Sequence, residues 1–343
     1  MRVRELYSRL ADSIDATVVT GNFPGARDET VRGVRYRRVG ARSPYWFSRL
    51  TYAASANRIL RTESYDAALF DFSSYTPLFF PPGKPSGVVV HHITSPTAER
   101  RWGKVLTRGI AGLEKSMISR AGRISATSDA ARDAAKTIAP ATPLHMVSAG
   151  VAPSLFFLER HPESFLLYFG RLDIYHKGID TLLESIAIVA RSKPDVLLKI
   201  AGRGSSAEEI AALARKSGIE RNVQVLGAVD DAERDRLFAT AVMQVMPSRF
   251  EGFGLAAAEA MAAGVPLIAS NAGSLPEVVD TPRGGVLVPP DDPQGLADAI
   301  IRMLEDDAMR RSLSSSARES ARRFDWDRVA ADHLAFIHAV AGQ

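Results

Sequence analysis

Two glutamates eight residues apart, Glu251 and Glu259, bracket a glycine-rich turn in the stretch PSRFEGFGLAAAEAMAAG that starts at Pro247. A strand-like apolar run precedes the turn and an alanine-rich helical pattern follows it. Gly254 permits close backbone approach, and the amides of Gly254 and Leu255 open a helix whose amino end favours an anion such as a diphosphate. Glu259 lies one turn into that helix, where its carboxylate can accept hydrogen bonds from vicinal hydroxyls such as a ribose pair. A second cluster, YFGRLDIYHKGID from Tyr168, sets Gly170 and Arg171 just after a strand and Lys177 just before a helix. Both cations then sit at the carboxyl end of a sheet, where α/β proteins bind ligands. The turn AGRGSS, with Gly202, follows another strand and would shape the same pocket, although a lone G-x-G is a weak signal. Singly, these residues could be a capping glutamate and solvent-facing loop cations. Together they form a cradle for a nucleoside diphosphate.

The elements that must position them read as alternating strands and helices. FLLYFG (165–170), DVLLKIAG (195–202), NVQVLG (222–227), VMQVMPS (242–248), VPLIAS (265–270) and GGVLVP (284–289) are β-rich runs. Segments such as GIDTLLESIAIVARS and AEEIAALARKSG, with apolar residues at helical spacing, lie between them. That alternation predicts right-handed βαβ units and a parallel, Rossmann-like sheet. The first half repeats the logic with ATVVTG (16–21), YDAALFDF (65–72), GVVVHH (87–92) and GRISATS (122–128), a second α/β domain. Around PLHMVSAGVAPSLF the pattern loosens into Pro and Gly, so the boundary is placed near residue 150: a domain over 1–150, another over 151–325, and a last helix over 326–343.

Length and composition agree. At 343 residues the chain suits two domains, and 46% hydrophobic with 24% charged residues is the globular average, which excludes disordered and fibrous classes. The absence of cysteine removes disulfides, thiolate metal sites and cysteine nucleophiles. No apolar run reaches 18 residues and the amino-terminal segment is charged throughout, so a cytoplasmic protein is expected. Residues 1–150 hold 22 Lys+Arg against 12 Asp+Glu, a balance of +10 that leaves −6 for the rest of a chain of net charge +4. A basic first half suits an acidic acceptor or the anionic inner face of a membrane, or is simply a solvated surface. Nucleic acid is not expected, because the arginines are scattered rather than grouped with aromatics. The aromatic segment SPYWFSRLTY (43–52) reads either as a membrane-touching stretch or as a buried helix.

The turn resembles the E-x7-E signature of retaining GT-B glycosyltransferases of family four, with Glu251, Gly252, Phe253, Gly254, Leu255 and Glu259 as the matching residues. The resemblance covers almost the whole chain. It implies two Rossmann-like domains facing across a cleft, a nucleotide-sugar donor (a UDP-sugar or GDP-mannose) held by the second, and a glycan or lipid-linked acceptor presented by the first. Arg171 and Lys177 would hold the donor diphosphate, with Glu251 facing the donor sugar. The family often carries a histidine where VVVHH ends a strand, and His91 is the choice over His92 for a group facing the sugar. Glu114 matches a recurrent family position, or is a helix-surface residue. In the family no enzyme carboxylate attacks: the acceptor enters on the face the phosphate leaves, and the phosphate takes the proton. The implied context is polysaccharide biosynthesis at the cell envelope.

No cofactor and no metal are expected. DWD at Asp325–Asp327 has the form that metal-dependent transferases of the other major fold use, but it opens the last helix, where aspartate is a favoured capping residue. Two departures qualify the resemblance. The helix-like RELYSRLADS matches a segment that follows a strand and a Gly-Gly loop in the family, so the first strand and that loop are expected to be missing from the first domain. SAGVA (148–152) lacks the Asn that usually precedes Gly-Val. The alternative reading is therefore a catalytically impaired protein that binds a nucleotide sugar without turning it over.

Overall fold

The computed structural model describes residues 2–73, 76–93 and 95–342, apart from the side chains of 95–102. The chain forms two compact units, Met1–Ala149 with Trp326–Gln343, and Gly150–Asp325.

The first unit runs α1 (Arg2–Arg9), β1 (Thr17–Gly21), β2 (Glu29–Val31), β3 (Val34–Val39), α2 (Tyr45–Thr62), β4 (Ala68–Asp71), β5 (Ser86–Val90), α3 (Ser95–Ile118), β6 (Arg123–Ala126), α4 (Asp129–Ile138) and β7 (Leu144–Met146). The second unit continues with β8 (Leu166–Phe169), α5 (Ile179–Ser192), β9 (Leu198–Ala201), α6 (Ala207–Lys216), β10 (Val223–Gly227), α7 (Asp231–Thr240), β11 (Met243–Met246), α8 (Leu255–Ala262), β12 (Leu267–Ser270), α9 (Leu275–Val279), β13 (Val286–Val288), α10 (Pro293–Glu305) and α11 (Asp307–Ala321). The last helix, α12 (Trp326–Ala341), returns to the first unit.

In the second unit six parallel strands lie in the order β10-β9-β8-β11-β12-β13. Successive residues of β8 point to opposite faces, Leu166 and Tyr168 into one core and Leu167 into the other. Helices α5, α6 and α10 cover the first face, α8, α9 and α11 the second. Several helices start on side-chain caps: Asp230 accepts from the Glu233 amide (2.8 Å), Asp292 from that of Gly295 (2.9 Å) and Asp306 from that of Met309 (2.8 Å). The alanines of α8 are small enough to bury on nearly all sides, which seats the glutamate-bearing helix deep against α11.

The first unit departs from the single sheet that the alternation predicts. Its strands form two sheets, β1-β3-β2 and β4-β5-β6-β7. The sequence reading also lacks β2 and β3, because this Arg-rich hairpin has no apolar run; its guanidiniums are spent in ion pairs, Arg37 with Glu63 (2.7 Å) and Arg38 with Glu29 (3.0 Å). The stretch read as loosened linker contains β7, a three-residue edge strand paired with β6. SPYWFSRLTY is helical from Tyr45; Tyr45 is 79% and Trp46 64% exposed, while Tyr52 is half-buried against the core of the unit. Among the described residues no helix is long and apolar enough to cross a membrane.

Candidate active site

Strand order reverses beside β8, with β9 and β10 to one side and β11 to β13 to the other. The loops leaving β8 and β11 therefore diverge and open a crevice at the carboxyl ends of the strands. A cavity of about 380 Å3 lies there, lined by Gly170, Arg171, Gly202, Arg203, Arg234 and Glu259, with the start of α7 at Asp230 and Asp231 on its rim. Two glycines let the β8 and β9 loops touch. Gly202 has φ 147°, and a Cβ on it would stand 1.6 Å from the Gly170 carbonyl oxygen. The Tyr168 hydroxyl, buried beneath, donates to the Arg171 carbonyl (2.8 Å) and holds the turn that carries this exposed cation.

Glu259 reaches the cavity from the second turn of α8 and is 7% exposed. Burial pushes its carboxyl up to about 7, because Arg234 Nη1 stands as far off as 4.0 Å and the nearby Asp231 and Asp235 oppose ionisation. Arg234 also divides its charge between Asp231 (3.1 Å) and Asp235 (2.7 Å). Arg203, Asp231 and Arg234 are site residues the sequence reading missed. The signal for them was available in AGRGSS and in DDAERDR, both just after strands.

The loop after β11 carries the other glutamate. Glu251 Oε1 receives the Lys177 ammonium at 2.5 Å and the Ser248 hydroxyl at 3.0 Å, with both charged side chains nearly buried. Backbone geometry makes this meeting feasible. Gly178, at φ 63°, lies where a Cβ would come within 2.0 Å of the Pro247 carbonyl oxygen, and a Cβ on Gly273, at φ 57°, would meet the Glu251 carbonyl oxygen at 2.4 Å. Arg249, also unread in the sequence, clasps Asp180 (2.7 Å) and the Tyr175 carbonyl (2.8 Å), tying the β11 loop onto the β8 loop. Gly254 begins α8 in the left-handed region (φ 85°), where a glycine is favoured. Of the residues between, Gly252 is half-buried, Phe253 stands edge-on to Phe324 (5.4 Å) as a packing residue, and Leu255 is exposed. What the turn can offer an anion is thus its backbone amides rather than these side chains.

The structure brings Arg171, Gly170, Gly202 and Glu259 to one cavity, and joins Lys177 to Glu251 at the adjoining strand end. His91 belongs to the first unit. It directly follows β5, and its Nε2 lies 3.3 Å from Asp71 Oδ1 at the end of the neighbouring β4, which orients the ring. Burial raises the Asp71 carboxyl, but the His91 hydrogen bond and the charge of Arg2 outweigh it and hold the group below its usual range. His92 is exposed, and Glu114 is fully buried rather than on a helix surface. Of the DWD segment, Asp327 accepts from Arg9 (2.8 Å), a structural use of the carboxylate.

A glycine-lined crevice with arginines and carboxylates at the switch point of a parallel sheet defines a doubly wound α/β protein, a class that binds its ligands at that point. Comparison with known sequences narrows this class: the family model described as Glycosyl transferases group 1 matches residues 156–320, and that described as Glycosyltransferase Family 4 matches residues 1–155. The chain belongs to this glycosyltransferase family. It is 39% identical over 178 residues to a glycogen synthase of Mycobacterium tuberculosis, a match that spans 51% of this chain and 43% of that one. It is 34% identical over 177 residues to a phosphatidyl-myo-inositol mannosyltransferase of Mycobacterium leprae, spanning 51% and 46%. The match thus covers less than half the length of these relatives. Among solved structures, sucrose-phosphate synthase from Thermosynechococcus elongatus shares the fold with a TM-score of 0.82 at 21% identity, over 99% of this chain and 92% of that one.

Proposed function

We propose that the protein is a retaining glycosyltransferase that moves a hexose from a nucleotide-sugar donor, a UDP-sugar or GDP-mannose, to a glycan or lipid-linked acceptor without a metal ion. One observation carries this reading: Gly170, Arg171, Gly202 and Glu259 share a cavity at the switch point of the parallel sheet. The α8 amino end and the Lys177–Glu251 pair stand on the next strand end. The phosphates would lie against the glycine amides and Arg171, and the ribose hydroxyls would donate to Glu259.

The bond between the anomeric carbon and the diphosphate oxygen breaks, and its electron pair passes to the leaving phosphate. Arg171 and Lys177 stabilise the charge that builds there, each contributing about 3 kcal/mol to lowering the barrier. The acceptor oxygen bonds to the anomeric carbon on the face just vacated and gives its proton to the departing phosphate. Donor binding displaces Lys177 from Glu251 toward the diphosphate, which frees Glu251 for the sugar hydroxyls. His91, oriented by Asp71, is the candidate contribution of the first unit. A lipid-linked acceptor at the inner face of a membrane is favoured by the exposed Tyr45, Trp46 and Leu50 in the basic first unit, and by a mannosyltransferase relative named for phosphatidyl-myo-inositol.

The test is calorimetric binding and nucleotide release across a panel of UDP- and GDP-sugars with chelator present, for the chain and for Glu259→Ala and Lys177→Ala. Selective binding with slow release that both substitutions abolish is the expected result. Selective binding without release, even with candidate acceptors, identifies a nucleotide-sugar-binding protein that does not turn over; no binding overturns the site.

A further inference from the structure

Arg249 stands two residues before Glu251 in the loop after β11, where a cation would be read as a phosphate ligand. Its guanidinium is already fully engaged. A guanidinium carries five N–H groups, and each has an acceptor here. Nε meets Asp291 Oδ1, Nη1 meets Asp180 Oδ1 (2.7 Å) and the Tyr175 carbonyl (2.8 Å), and Nη2 meets Asp180 Oδ2 (3.0 Å) and Thr181 Oγ1 (3.1 Å). The fork on Asp180 is bidentate, a geometry that fixes both partners. The guanidinium also lies 4.8 Å from the centre of the Tyr175 ring. With every N–H committed to the protein, Arg249 acts on the site through the residues it holds.

Those residues enclose Lys177. The Arg249 amide donates to the His176 carbonyl (3.0 Å), and its side chain grips Tyr175 on one side of Lys177 and Asp180 and Thr181 on the other. Asp180 and Thr181 belong to the first turn of α5, so the clamp fixes the start of that helix against the loop that carries Glu251. The Lys177 ammonium meets Glu251 Oε1 (2.5 Å), and the Ser248 hydroxyl holds the same oxygen (3.0 Å). Arg249 therefore stands between Ser248 and Glu251 in the chain and grips both flanks of Lys177 in space. Asp291, after β13, brings a third loop into the clamp. A lysine at this position has one compact ammonium, which cannot span Asp180, Asp291 and the Tyr175 carbonyl at once.

We propose that Arg249 is a positioning residue for glycosyl transfer, one that touches no substrate but holds Lys177 where the leaving diphosphate builds its charge, an inference that rests on the transferase reading above. Attraction between an ammonium and a bound diphosphate falls slowly with distance. Stabilisation of the transition state depends on charge already aimed at the right oxygen. Loose placement of Lys177 therefore costs turnover more than donor binding.

The experiment uses the full chain and its Arg249→Gln, Arg249→Lys and Asp180→Asn variants. The first measurement needs no sugar: acetylation by acetic anhydride, followed lysine by lysine with mass spectrometry. Lys177, nearly buried in its ion pair, is expected to react at least about tenfold faster in Arg249→Gln and Asp180→Asn, with Arg249→Lys between them and the unaltered chain. Lys199, whose ammonium lies 3.7 Å from the Phe165 ring centre in the same unit, is the reference and is expected to keep its rate. The second measurement is steady-state nucleotide release from UDP- and GDP-sugars. In Arg249→Gln kcat is expected to fall about a hundredfold while KM for the donor rises less than about threefold. An unchanged Lys177 rate overturns the proposal whatever happens to turnover. Equal acceleration of Lys177 and Lys199 overturns it too, because Arg249 then only supports the fold, as does a rise in KM that matches the fall in kcat. If Arg249→Gln does not fold, Arg249→Lys and Asp180→Asn decide by the same rates. A chain that turns over no nucleotide sugar overturns the transferase reading, and the Lys177 rate alone then decides whether Arg249 places that ammonium.

Discussion

Lys177 and Glu251 come from loops 74 residues apart and meet in a nearly buried ion pair. Removing one partner of such a pair leaves an unmatched charge away from water. Lys177→Ala is expected to destabilise the second unit by about 3 kcal/mol, measured by chemical denaturation, besides removing turnover. Lys177→Met combined with Glu251→Gln takes away both charges, and should recover most of that stability while turnover stays lost. The pair could then be separated into its structural and chemical parts. Glu259 makes a pH-dependent prediction. Its folded pKa stands near 7 against an ordinary 4.5, so the fold holds a proton that the unfolded chain has released. The sign follows: its contribution to stability is complete below about 4.5 and is lost as pH rises through 7. Ribose hydroxyls need the ionised carboxylate as acceptor, so nucleotide affinity should move the other way and strengthen from pH 6 to 8. Glu259→Gln is expected to flatten both profiles, read by calorimetric titration and thermal melts at matched pH.

At the scale of elements, the site depends on loops pressed closer than side chains allow. Gly202 crosses the Gly170 carbonyl so tightly that Gly202→Ala must push the β8 and β9 loops apart. A loss of at least about 3 kcal/mol is expected, together with weaker nucleotide binding, and both can be read in one denaturation series with and without nucleotide. In the first unit α1 packs on α12 around His333, whose ring meets Tyr7 edge-on (5.5 Å) and whose Nδ1 is buried without a partner. Burial lowers the His333 pKa to about 3, with the charge of Arg2 acting in the same direction. A neutral buried histidine stabilises the fold above its ordinary 6.5, and that contribution is lost as pH falls toward 3. Each pH unit in this window should cost the first unit about 1.4 kcal/mol. His333→Phe is expected to shrink that slope, seen as the pH dependence of the midpoint in urea.

At the scale of the whole molecule, α12 is the last element in the chain but a core element of the first unit. Trp326, Val329, Phe336 and Val340 pack with Leu6, Leu10 and Val89, whereas both cores of the second unit are built from residues between Val151 and Phe324. Deleting 326–343 is therefore expected to abolish the melting transition of the first unit and leave the second with its own transition and its nucleotide binding. Scanning calorimetry with and without nucleotide checks this. A loss of both transitions would mean that the two units do not fold separately.

The turn between Glu251 and Glu259 was readable in the chain as a structural unit because its features are local. A strand, a glycine that permits φ 85°, an alanine-rich helix and two glutamates all fall within one short window, and periodicity marks the elements on either side. The six parallel strands of the second unit were readable for the same reason, since each is a short apolar run between helices of regular spacing. The Arg-rich β2–β3 hairpin was not, because its strand character comes from pairing and from ion pairs, one across the hairpin to Glu29 and one to the distant Glu63, rather than from an apolar pattern. Nor could the chain alone show that Lys177 meets Glu251, that Arg203 and Arg234 join Glu259 in one cavity, or that burial lifts the Glu259 carboxyl toward neutrality. Those properties depend on distance and desolvation between residues far apart in sequence, and such quantities come into existence when the strands and loops are packed together.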